Sequence, residues 1–340
     1  MNSMERIAAT IKFEHSDRVP VIPQIFGHAA KLLKVPLRDY CCNGETLAKC
    51  QLHALAHYQY DAVFGITDVG VEAEALGSKL VYRKDMYPFV QNYAFNNRTN
   101  LAKIKVPNPG QDGRMKEIIK GIRLMRYEVN DETAVIGCVL GPITLATQLL
   151  GMEQALYSAA DFPEDFERIL DFCVKVQKNY GQAQLEAGAH AIMIFDPCAS
   201  PEVIPPQFFR EMELARIQEM FHFFKKSGSL ASWLHIAGQA EQIFQYYSLV
   251  GVDIANFDYS VEPVAVQNLL PRICVNGNLK PLAFIEEEPK SLRERAGELV
   301  RIFSDRGGFI LSSGCEIPPE AKPENVKAFV EAVVKEDKSV

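Results

Sequence analysis

The chain has 340 residues, with 36 Lys and Arg against 43 Asp and Glu, for a formal net charge of -7. That balance argues against nucleic acid or an anionic membrane as the main partner, because both call for a basic face. Eight cysteines are scattered without a disulfide-type spacing. Residues 1–10 read as an amphipathic helix and not as a secretory segment, so reduced thiols and a cytoplasmic protein are expected.

In chain order, a helical extension over 1–18 precedes a first strand at 19–24 and a second at 62–67. The stretch 82–130 carries Pro88, Pro107, Pro109 and the polar run 96–100, and reads as an insertion after the second strand that caps one end of the fold. The apolar tract 134–151 is broken by Gly137, Gly141 and Pro142. It reads as strand (134–140), turn and helix, and not as a membrane span. Further strands are expected at 191–195, 230–235, 252–257, 273–276 and 309–312, with helical periodicity between them at 164–186 and after them at 322–334. Eight strands alternating with helices predict a single (β/α)8 barrel over 1–340.

In such a barrel the chemistry sits where the strands end. Those ends are polar here: Thr67-Asp68 followed by Glu72, Asp196-Pro197-Cys198, His235, Asp258, Asn276-Gly277-Asn278, and Gly314-Cys315-Glu316. An imidazole and a thiol at two strand ends, His235 and Cys315, are soft donors suited to a zinc ion that holds and activates a substrate thiolate. Each residue also has a purely structural reading. His235 could be a hydrogen-bonded core histidine, Cys315 a packed thiol, Asp68 or Asp196 a helix cap, and Asn278 a turn residue. Their convergence on one mouth favours function.

The segments 66–77, 140–146, 195–200, 235–238, 276–279 and 314–325 resemble the uroporphyrinogen decarboxylase superfamily, and within it the corrinoid-dependent methyltransferases. The resemblance spans almost the whole chain. It implies a cytoplasmic enzyme of one-carbon metabolism that exchanges a methyl group between a corrinoid and a small molecule, with zinc-assisted thiol methylation as the expected direction. It also implies His235 and Cys315 as zinc ligands. The family's middle thiol position is Ala237 here; Cys198 is a candidate to compensate, and Asp196, Asp258 or Glu316 are alternative oxygen ligands. Asp68 and Glu72 become the expected catalytic carboxyls, and Asp196, Asp258 and Asn278 the expected substrate contacts.

The chain carries no corrinoid-binding Asp-x-His-x-x-Gly sequence, so a separate corrinoid protein is expected as partner. The decarboxylase branch of the same superfamily is the sibling alternative. Its Arg-rich segment after the first strand is replaced here by Gln24-Ile25-Phe26-Gly27-His28, without an Arg. Methyl flow in the opposite direction, from a donor to the corrinoid, and a non-catalytic corrinoid- or porphyrin-binding relic are the remaining alternatives.

Overall fold

A computed structural model describes residues 1–96 and 99–333. Asn97 and Arg98 of the polar run, and the end of the chain from Val334, lie outside the described residues. The first helix, α1 (Ser3–Ile11), is fixed at its start by a capping box. The Asn2 side chain accepts from the Glu5 N–H at 2.8 Å, and the Glu5 carboxylate accepts from the Asn2 N–H at 3.0 Å. There follow α2 (Gly44–Tyr58), β1 (Ala62–Gly65), α3 (Val71–Ala75) and a hairpin of β2 (Lys79–Arg83) and β3 (Met86–Asn92). Next come α4 (Met115–Val129), β4 (Ala134–Leu140), α5 (Pro142–Leu150), α6 (Pro163–Glu186) and β5 (Ala191–Phe195). The last part holds α7 (Leu214–Lys226), β6 (Ser232–His235), β7 (Ile254–Asn256), β8 (Cys274–Leu279), α8 (Pro289–Phe303), β9 (Phe309–Ser313) and α9 (Pro323–Glu331). Pro at the first helical position starts α5, α6, α8 and α9, where its fixed φ is already helical and its missing N–H costs nothing.

Seven strands form one parallel sheet in the order β1-β4-β5-β6-β7-β8-β9. The segment 19–24 closes it into a barrel. Its Pro20 carbonyl accepts from Leu311 N–H, and its Ile22 N–H donates to Leu311, both at 2.9 Å; on the other side Val21 carbonyl accepts from Asp61 N–H at 2.9 Å. Only a bridge at Val21 forms here, where the sequence predicts a full strand. Pro20 and Pro23 lack the N–H groups a ladder needs. The closure is pinned electrostatically instead. Asp61, fully buried, accepts from Arg6 and Arg18 at 2.7 Å each and from the Val21 N–H at 2.7 Å.

Phe64 on β1 packs against both Phe26 (5.3 Å between centroids) and Trp233 on β6 (6.0 Å). β1 and β6 are not neighbours in the sheet, so these rings fill the barrel interior. Within 82–130 the structure places β3 and α4, and α4 lies along α2 against β1 and β4. No helix of the described residues is long and apolar enough to cross a membrane. All eight cysteines are free thiols.

Candidate functional site

The polar strand ends gather at one end of the barrel, and each side chain is held by a specific partner. Asp68 is held by an ion pair. Arg114, from the start of α4, reaches it at 2.5 and 3.0 Å and also pairs with Glu74 at 2.7 Å. Thr67 Oγ1 and the Gly70 N–H fill further lone pairs of Asp68 at 2.9 Å each. Glu72 is 3% exposed. β1 stops at Gly65 while β4 runs to Leu140, so the Leu140 N–H has no strand partner. Glu72 accepts from it at 2.9 Å. Burial pushes the Glu72 carboxyl up to about 7.

Asp196 is fully buried and serves as a remote cap for α5. Its Oδ1 accepts from Thr144 N at 2.8 Å and Thr144 Oγ1 at 2.5 Å. Gly141 is required at this contact, because a Cβ there would come within 2.0 Å of the Asp196 carboxyl. The Glu213 carboxyl, also fully buried, lies against Asp196 from a π-helical turn, Phe209–Glu213. Burial, and then Asp196 itself, raise the Glu213 carboxyl well above its ordinary range, so Glu213 carries the proton of the pair. Cys198 belongs to the same cluster. Its N–H donates to Thr144 Oγ1 at 3.0 Å, and its sulfur lies 3.5 Å from Thr147 Oγ1.

On the opposite side, Asp258 accepts from the Gly238 N–H at 3.0 Å, and Asn278 donates to the Asp258 and Val261 carbonyls at 3.1 and 2.9 Å. Gly314 lets the Cys315 turn press onto this loop, since a Cβ there would meet Tyr259 N at 2.6 Å. Burial pushes the Cys315 thiol up to about 12, so it is neutral at physiological pH. The neighbouring Glu316 accepts from Tyr87 Oη and from the Gly27 N–H. This bond locks the β2–β3 hairpin to the turn after β9.

His235 is fully buried and stacks on Phe195 with centroids 4.4 Å apart. Burial pulls it down to about 3, so the imidazole is neutral. Its Nδ1 lies 3.3 Å from Gln24 Nε2, and its Nε2 has no protein partner.

The expected zinc set of His235, Cys315 and Cys198 is not assembled. Among the described residues no three His, Cys, Asp or Glu side chains come together as a metal-holding group. The unpartnered His235 Nε2 is a donor of the right kind, and Cys315 a second. The third position is Ala237, which has no donor, and the Cys198 sulfur is directed to Thr147. A structural or catalytic zinc takes at least three protein ligands, so this donor set does not fit one. Sequence reasoning also missed Arg114, Glu213, Tyr87 and Gln24. Glu213 carried a signal, being a carboxylate in an apolar helical stripe; the other three did not.

Residues 2–336 match the uroporphyrinogen decarboxylase (URO-D) family. The chain is 28% identical over 306 residues to a uroporphyrinogen decarboxylase of Rhodospirillum rubrum, covering 87% of this chain and 85% of that protein. It is 26% identical over 338 residues to a methylcobamide:CoM methyltransferase of Methanosarcina barkeri, covering 96% of both. A solved methyltransferase structure from Methanosarcina mazei superposes over 98% of both chains with a TM-score of 0.88 at 25% identity. The match from residue 2 to residue 336 makes this chain a member of the uroporphyrinogen decarboxylase family.

Proposed function

We propose that this chain transfers a methyl group between a corrinoid carried on a separate protein and a small donor or acceptor. The observation that carries the reading is the pairing of the guanidinium at the barrel mouth. Asp68, Asp196, Asp258 and Glu316 stand at the strand ends, and Arg114, which reaches Asp68, is taken by Asp68 and Glu74. A porphyrinogen bearing several carboxylates needs bidentate Arg partners, and Arg114 is not free to be one. The segment after Val21 adds none, since Gln24 and Phe26 stand there in place of Arg. The relatives named methylcobamide:CoM methyltransferase, which align end to end with this chain, support the same branch.

A corrinoid supplies a cobalt centre that gives up or takes a methyl group. The chain's own residues supply enclosure and orientation. Asp258 and Asn278 hold the loop that borders the mouth, and the Tyr87–Glu316 bond holds the hairpin beside it. Asp68 and Glu72 act as positioning residues: one fixes Arg114, the other completes the edge of β4. Asp196 and Glu213 set the start of α5 in the same way. Proximity of the two reactants in a site with little water is the main catalytic resource of such an arrangement.

The test is a product assay with uroporphyrinogen beside a methyl-exchange assay with a corrinoid. The reading expects no coproporphyrinogen. Its formation at an enzymic rate would establish the decarboxylase alternative.

A further inference from the structure

The barrel interior just below the mouth holds a layer of buried polar atoms without protein partners. Phe195 pairs with His235 in register, and Asn256 with Asn276. Leu234 pairs with Ala255, so His235 stands beside Asn256 one residue further on. Paired residues of parallel strands face the same side of the sheet. That side is the lumen, because His235 on β6 meets Gln24 on the closing segment, which is not its neighbour in the sheet.

Four atoms of this layer are buried and unpartnered: His235 Nε2, Gln24 Oε1, Asn256 Oδ1 and Asn276 Nδ2. His235, Asn256 and Asn276 are fully buried and Gln24 is 1% exposed. Buried polar groups of a folded protein are nearly always bonded, and leaving one unbonded is costly. Four in one layer mark a place where a bound molecule, water or ligand, supplies the missing bonds.

The chemistry of the layer names the ligand class. Three of the four side chains are amides, and the fourth, the fully buried His235, has Gln24 as its hydrogen-bond partner and no carboxylate. Donors and acceptors are mixed: Asn256 Nδ2 donates to the Asn276 carbonyl and Oδ1 at 3.1 and 3.2 Å, which leaves Asn256 Oδ1 as a free acceptor and Asn276 Nδ2 as a free donor. An anion would face amide oxygens with no cation to offset its desolvation. A small neutral molecule with one hydroxyl or amide donor and one oxygen acceptor matches the set.

We propose that the layer formed by Gln24, His235, Asn256 and Asn276 binds a small uncharged hydroxyl-, ether- or amide-bearing molecule. That this molecule is the methyl donor or acceptor rests on the methyltransferase reading; its binding does not.

The experiment is calorimetric titration of the purified chain, without corrinoid, with two charge-matched pairs: 2-methoxyethanol against methoxyacetate, and 2-mercaptoethanol against mercaptoacetate. The neutral member of the methoxy pair should bind at least tenfold more tightly than the anion. Asn276→Asp and Asn256→Ser, each checked by circular dichroism, should weaken the neutral ligand at least fivefold. Equal or reversed preference, binding by neither member, or a preference unchanged in every folded variant would overturn the proposal. Neutral binding without any methyl exchange would instead overturn the methyltransferase reading and leave the ligand class standing.

Discussion

Replacing Glu72 by Gln should make the protein more stable at high pH and leave it nearly unchanged at low pH. The amide oxygen of the replacement side chain can still accept from the Leu140 N–H, so the contact at the edge of β4 survives. Only the titration is lost. Burial raises the Glu72 carboxyl from the ordinary 4.5 to about 7 in the folded state. Between these values the folded chain holds a proton that the unfolded chain has released. Stability therefore falls as pH rises from about 4.5 to about 7 and is flat above. Each pH unit in that window is worth about 1.4 kcal/mol, so this one carboxyl costs about 3 kcal/mol at pH 8. Urea unfolding of wild type and Glu72→Gln from pH 4.5 to pH 8 measures the difference directly, because every other titrating group is common to both. The difference should open across the window and favour the variant by about 3 kcal/mol at the top. Parallel curves would mean that Glu72 titrates as a hydrated carboxyl, and would refute its placement as a buried edge partner.

Asp61→Asn strips the charge that holds Arg6, Arg18 and the Val21 N–H. It should cost about 1–3 kcal/mol in thermal or chemical unfolding, because Arg6, which keeps Asp17, and the partly buried Arg18 lose their shared buried anion. Glu213→Ala removes the buried carboxyl that lies against Asp196 and should cost about 1–3 kcal/mol, whereas Glu213→Gln, which keeps an uncharged donor of the same size there, should cost clearly less on the same melting curves. After dialysis the wild-type chain should hold well under one zinc per chain by elemental analysis, and Ala237→Cys should raise the content towards one, since it adds a third donor beside His235 and Cys315. A stoichiometric zinc in the wild type would show that these residues rearrange into a metal site.

Much of the barrel was legible because its strands are short Val- and Ile-rich runs that end in Gly, Asp or Asn, and most strand bounds fall within two residues of the sequence reading. The run 19–24 looked like any other strand. Its two prolines, which leave it a single bridge, were visible in the sequence, but the Asp61 carboxylate that replaces the lost ladder bonds was not. The site divides along the same line. Which residues stand at strand ends follows from periodicity, so Asp68, Asp196, His235 and Cys315 could be named from the sequence. What each does depends on partners far along the chain: Arg114 for Asp68, Glu213 for Asp196, Tyr87 for Glu316 and Gln24 for His235. No local pattern encodes those meetings. That Cys198 does not join His235 and Cys315 has the same origin, because the direction of its sulfur is set by Thr147 on α5 and not by its own strand.

The central claim is methyl exchange with a corrinoid, and visible spectroscopy tests it most directly. The chain should convert methyl-cob(III)alamin to cob(I)alamin when offered a suitable acceptor, or methylate cob(I)alamin from a methyl donor. The rate should be proportional to enzyme concentration with free or protein-bound corrinoid. Unchanged spectra in both directions, with neutral and thiol partners alike, would contradict the account.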